Sequence, residues 1–123
     1  MRVLIVLGVV AVCCILYYLF PLIKVIGDSM YATYLDNEVI VGSRVFLKSR
    51  LKVGDVIVYK SPTDDRIVIK RIHHFMCDGK DLYLYCLGDN ADHSYDSRMY
   101  GYVSSKSIVC KVINQRRKIE SCM

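Results

Sequence analysis

From Val3 to Ile23 the chain runs VLIVLGVVAVCCILYYLFPLI, 21 positions without a charged residue. As a helix, this run is long enough to cross a hydrocarbon core of about 30 Å. A cleaved signal peptide is the competing reading, since Gly27 and Ser29 form a small-x-small pattern. The apolar region of a signal peptide spans only about 7–15 residues, however, and this one is longer. Residues 1–24 therefore read as a retained single-span anchor in a lipid bilayer. Tyr17, Tyr18 and Phe20 suit an interfacial aromatic belt, and Pro21 is tolerable near a helix end. Of the 123 residues, roughly a hundred then remain for a soluble domain. That is enough for one small core but not two.

Charge alone gives a conflicting orientation. Only Arg2 and the α-amino group precede the span, whereas Lys24, Arg44, Lys48, Arg50 and Lys52 follow it. The positive-inside rule would place the following domain in the cytoplasm, but it loses force for charges that belong to a folded domain. The net charge of +5 suits contact with anionic lipid headgroups, or simply a solvated surface. No nucleic-acid-binding motif accompanies it.

Residues 25–115 read as mainly β, with the strands in a small antiparallel sheet. Val39–Val41 and Val45–Leu47 suggest a strand or hairpin. VGDVIVYK and RIVIKRIHHF are β-branched runs on either side of the turn-like SPTDD. LYLYCLG follows the turn CDGKD, so residues 66–87 are expected to form a hairpin. SKSIVCKVI reads as a last strand, and residues 116–123 as a basic, exposed tail.

Among the six cysteines, Cys13 and Cys14 lie in the span. Cys77, Cys86, Cys110 and Cys122 include no CxxC pair, and their spacing to His73, His74 and His93 matches no zinc pattern. No metal site or cofactor is expected. A bridge between Cys77 and Cys86 would need cross-strand neighbours, and around a turn at 78–81 these two would not face each other.

Two polar residues stand out against this background. Ser29, in IGDSMYATYLD, lies just beyond the span. A serine hydroxyl at neutral pH is a poor nucleophile and needs a base. Lys70, in RIVIKRI, shares a strand face with Val68 and Ile72. Apolar burial lowers a lysine pKa, because desolvation disfavours the ammonium form. Taken alone, Lys70 reads more readily as an edge-strand lysine that blocks aggregation, and Ser29 as an ordinary polar residue.

GDNADHSYDSRMYGYV, residues 88–103, adds a much more specific signal. With DSM, VGDVIVYK and VIKRI, in that order, it resembles the type I signal peptidases. Their last box is matched at Gly88, Asp89, Asn90, Ser94, Asp96, Ser97, Arg98, Gly101 and Val103. The resemblance covers the chain from the span to about Val112. It implies a β-rich serine endopeptidase domain that removes signal peptides from membrane-tethered preproteins, cleaving after small residues. Ser29 falls on the nucleophile position and Lys70 on the general-base position. Ser94 falls on the serine that orients the lysine amine, and Asp96 and Arg98 on an ion pair that shapes the region. Met30 and Ile69 fall on positions lining the small-residue pocket. The family's topology implies a catalytic domain on the outer face.

Several positions depart from the family pattern. Ala32 stands at the usual proline of the first box, Gly27 where some members place a second oxyanion hydroxyl, and Ser104 where a proline often follows the last Val. Only Arg71 to Leu87 separates the lysine box from the last box, so the second domain of larger members is missing. The endoplasmic-reticulum relatives carry His where Lys70 stands, so the bacterial or organellar type fits better. Three other classes compete with this reading. A non-catalytic assembly chaperone tends to lose the serine or the lysine, and both are present here. A dedicated processing peptidase of a secretion or conjugation system fits the small size. A self-cleaving regulator shares the chemistry, but a membrane span argues against a DNA-binding repressor.

Overall fold

The computed structural model describes residues 1–46 and 50–118. Helix α1 spans Arg2–Leu19, and its side chains are exposed along almost the whole length. Its 18 residues are rich in β-branched Val and Ile, which helix propensity in water does not favour. In a bilayer, a helix meets the need to satisfy every backbone group internally. At about 1.5 Å per residue it is roughly 27 Å long, and it is long and apolar enough to cross a membrane.

The helix ends earlier than the apolar run. Pro21 cannot donate a backbone hydrogen bond, and Leu22–Lys24 form strand β1. Leu22 and Ile23 pair with Val41 and Ile40 of β2 (Val39–Ser43). Arg44 closes the helix end. Its backbone N–H donates to the Leu19 carbonyl at 2.8 Å, and its Nε donates to the Tyr18 carbonyl at 2.8 Å. Its guanidinium lies 4.9 Å from the Tyr18 ring centroid. The helix thus meets the sheet without a flexible linker.

The remaining strands are β3 (Val56–Lys60), β4 (Ile67–Asp78), β5 (Asp81–Leu87), β6 (Val103–Ser104) and β7 (Ile108–Val112). Among the described residues they make one antiparallel sheet in the order β1-β2-β7-β3-β4-β5-β6. The expected hairpin is β4–β5, closed at Asp78 and Asp81 across Gly79, whose φ of 63° suits glycine. Val45 and Phe46 lie outside any strand, and Leu47 lies outside the described residues. Cys77 pairs with Leu82, and Cys86 with Ile72, so these two cysteines are not neighbours. The described cysteines are all free thiols, and Cys122 lies outside the described residues.

Strand β3 is central and buried on both faces, which explains its unbroken apolar run. Val56 and Val58 pack with Val25, Met30, Tyr34 and Ile69 in one cluster. Ile57 and Tyr59 pack with Ile72, Leu84 and Cys86 in the other. A short helix, α2 (Ser97–Tyr100), follows β5 and is tied to it by the Cys86 N–H, which donates to Ser97 Oγ at 2.9 Å.

Candidate active site

Between β1 and β2 the chain makes an excursion that carries Ser29. Its base is closed where Val25 N–H donates to the Glu38 carbonyl (2.8 Å) and Asn37 N–H to the Val25 carbonyl (2.7 Å). Inside it, Tyr34 N–H donates to the Met30 carbonyl at 2.9 Å, closing a tight turn. Ser29 itself is half-buried.

Lys70 reaches this segment from β4. It sits opposite Ile57 in the register, on the face that holds Ile72. Its side chain is 4 % exposed, and Nζ donates to Ser29 Oγ at 2.8 Å. Burial lowers the Lys70 pKa from its ordinary value; Asp96 opposes that shift, and Arg98 reinforces it. A lysine in this setting loses its proton more readily than one in water. Among the described residues, the Ser29 N–H has no hydrogen-bond partner.

Asp96 is fully buried and caps α2. Its carboxylate accepts from Arg98 Nε (2.9 Å), Arg98 Nη2 (2.6 Å), the Gly88 N–H (2.9 Å), the Arg98 N–H (3.1 Å) and the Ser94 hydroxyl (2.7 Å). Burial alone would raise its pKa, but these donors outweigh burial and hold the carboxyl well below the usual carboxylate range. The Ser94 hydroxyl proton is thus committed to Asp96. Asp96 in turn acts on Lys70 through its charge.

Met30 is fully buried and Ile69 is 8 % exposed, both in the same core cluster. Met30 has no surface to offer a ligand here; its Sδ accepts from the Asp89 N–H at 3.4 Å. His73 and His74 bond each other, and His74 also bonds the Tyr102 hydroxyl. No cluster of metal-ligating side chains occurs among the described residues.

The structure adds four residues to which the sequence reading gave no individual role. Asn90 N–H donates to the Ser29 carbonyl at 2.8 Å, and its side-chain amide donates to the Asp28 carbonyl at 3.0 Å. Asp89 accepts a two-pronged bond from Arg71 at 2.8 Å on each oxygen, while Arg71 also donates to the Gly54 carbonyl at 2.7 Å. Gly88 lies where a Cβ would stand 2.2 Å from Ser94 Oγ and 2.7 Å from the Ser29 carbonyl oxygen. The Gly-Asp-Asn stretch therefore clamps the backbone of Asp28 and Ser29. The match of the last box was the available signal for Gly88, Asp89 and Asn90. Their roles depend on contacts with residues distant in sequence.

No curated protein matches the chain by sequence. The family model described as "Signal peptidase, peptidase S26" matches residues 1–74 and 80–114, which spans α1, the Ser29 excursion, Lys70 and the Asp96 cap. With most of its length so matched, the chain belongs to that signal peptidase family.

Proposed function

We propose that the protein is a membrane-bound serine endopeptidase that removes signal peptides by acyl transfer from a Ser29–Lys70 dyad. The observation that carries this reading is the 2.8 Å contact between a buried lysine amine and a serine hydroxyl on a half-buried turn. Neutral Lys70 takes the Ser29 proton as Oγ attacks the scissile carbonyl. The resulting ammonium returns the proton to the leaving amine, and water then releases the acyl-enzyme. The Ser29 N–H, without a hydrogen-bond partner among the described residues, serves as an oxyanion donor. Gly27 brings no hydroxyl to that position, so this donor acts without a side-chain partner from there.

In this account Ser94, Asp96 and Arg98 are supporting residues. They set the charge around Lys70 and the shape of the segment beside it. Ile69 contributes the apolar floor of the small-residue subsite, with Met30 packed behind it. Such a subsite discriminates by excluding larger groups. Ile69→Phe should therefore reduce cleavage after Ala more than after Gly, and an unchanged ratio of the two rates would remove Ile69 from the subsite.

Residues 1–24 serve as the anchor and residues 25–115 as the catalytic domain, held on the outer face of the membrane. The short path from the end of α1 at Leu19 to Ser29 suits substrates that are themselves membrane-tethered. The test is incubation of detergent-solubilised protein with a preprotein bearing an Ala-x-Ala site. Cleavage after the second small residue is expected from the parent protein and from neither Ser29→Ala nor Lys70→Ala. The double variant should be little worse than either single one. Near-normal turnover by Lys70→Ala would rule out the dyad.

A further inference from the structure

Just beyond β7, Gln115 and Arg116 are bonded back to the domain. Gln115 binds β3 as an added strand residue would: its Oε1 accepts from the Val56 N–H at 2.7 Å and its Nε2 donates to the Val56 carbonyl at 2.8 Å. The same Nε2 donates to the Val112 carbonyl at 2.6 Å. Arg116 then turns onto the Ser29 excursion. Its Nη1 donates to the Thr33 carbonyl and to Glu38 Oε1, each at 3.0 Å, and its Nη2 pairs with Glu38 Oε2. Its guanidinium lies 4.9 Å from the Tyr34 ring centroid. The Tyr34 hydroxyl donates to the Asn114 carbonyl at 2.7 Å and accepts from the Arg116 N–H at 3.2 Å.

These contacts fall on one end of the excursion, and the Gly-Asp-Asn clamp falls on the other. Tyr34 is fully buried and bonded back to Met30, the neighbour of Ser29. Glu38 stands at the base of the excursion and also accepts from the Leu35 N–H at 3.1 Å. The pairing with Arg116 holds the Glu38 carboxyl below its ordinary pKa, so the partner stays charged at neutral pH. The family match stops at residue 114, immediately before the two residues that make these bonds.

We propose that Gln115 and Arg116 form a strap that fixes the Met30–Glu38 half of the excursion, and that Arg116 is thereby a positioning residue for Ser29. The inference rests on the peptidase reading above. Reactions that depend on a near-attack geometry lose on the order of 100-fold for a displacement of about 1 Å. Loosening the strap should therefore act on kcat while leaving substrate contacts, and KM, in place.

The experiment compares full-length parent protein, Arg116→Ala, Arg116→Lys and Glu38→Gln, solubilised in detergent. It reads kcat and KM on the Ala-x-Ala preprotein below each variant's melting temperature, together with amide hydrogen exchange. Arg116→Ala should lower kcat about 10- to 100-fold with KM near the parent value. It should also speed exchange at Tyr34, Asn37 and Glu38 while β3 and β4 stay protected. Arg116→Lys should recover part of kcat, since one ammonium cannot serve the Thr33 carbonyl and both Glu38 oxygens together. If Arg116→Ala does not fold, Glu38→Gln reads the same contact with the partner's size kept. Parental kcat, or a kcat loss without faster exchange in the excursion, would overturn the proposal. Lack of cleavage by the parent protein would instead overturn the peptidase reading, and the exchange data would still decide whether the strap holds the segment.

Discussion

An ammonium on Lys70 would sit opposite Ile57 and beside Ile72, with one hydroxyl as its hydrogen-bonding partner among the described residues. Keeping lysine there costs stability, because its folded pKa is depressed by burial. The unfolded state then binds more protons at pH values between the folded pKa and the unfolded value near about 10.4, so stability rises with pH across that window. Lys70→Met keeps the length and removes the charge. It should raise the melting temperature at neutral pH while abolishing cleavage, and an unchanged or lower melt would show that the site carries no such cost. Asp96 and Arg98 tune the same group with opposite signs. Arg98→Ala removes a positive neighbour, so the Lys70 pKa should rise and the rising limb of the pH–rate profile should move to higher pH. Asp96→Asn should move it to lower pH. Their structural costs differ too. Asp96→Ala strands the Gly88 N–H, the Arg98 N–H and the Ser94 hydroxyl together, and should cost about 3–5 kcal/mol. Arg98→Ala leaves those donors on Asp96 and should cost about 1–3 kcal/mol, and Ser94→Ala less than either. Thermal melts of the three variants check the ranking. A parental melt for an inactive Asp96→Ala would move Asp96 from scaffold to chemistry.

Strands β2, β3, β4, β5 and β7 were readable as sequence because each is a β-branched or aromatic run bounded by turn residues. VIVYK, buried on both faces as β3, and the β4–β5 hairpin around Asp78–Asp81 are clear cases. The end of α1 was not readable, since Leu22 and Ile23 continue the apolar run and become strand only through pairing with Val41 and Ile40. The Asp96 cap was hidden for a different reason: Ser97–Tyr100 is too short a helix to show a period. Arg116 read as part of an exposed basic tail, because Glu38 and Tyr34 meet it only after the sheet forms. Gly88 shows how tightly the loops are fitted together. A side chain there would collide with both Ser94 and the Ser29 backbone, and the Ser29 carbonyl cannot yield as a flexible side-chain tip can. Gly88→Ala should cost about 1–3 kcal/mol of stability and about 100-fold in kcat through misplacement of Ser29. Parental kinetics for this variant would show that the two loops can separate without consequence.

At the scale of the molecule, an apolar helix runs into one small sheet, and the Ser29 excursion leaves the first strand of that sheet. Arg44 binds the last helical carbonyls to the end of β2, so the helix and the Ser29 excursion share one rigid base. The excursion is then held by Asn90 near its start and by Arg116 near its end, while Lys70 approaches from β4. Three separate parts of the chain thus bear on the segment around Ser29, and one of them, Lys70, reaches its hydroxyl. The central claim is that Lys70 acts as a neutral base. The pH dependence of kcat/KM for preprotein cleavage, measured for the parent protein and Lys70→Ala, tests it most directly. The account predicts a rising limb with a midpoint well below the ordinary lysine value of about 10.4, absent in the variant. A midpoint near that value, or the same limb in Lys70→Ala, would contradict it.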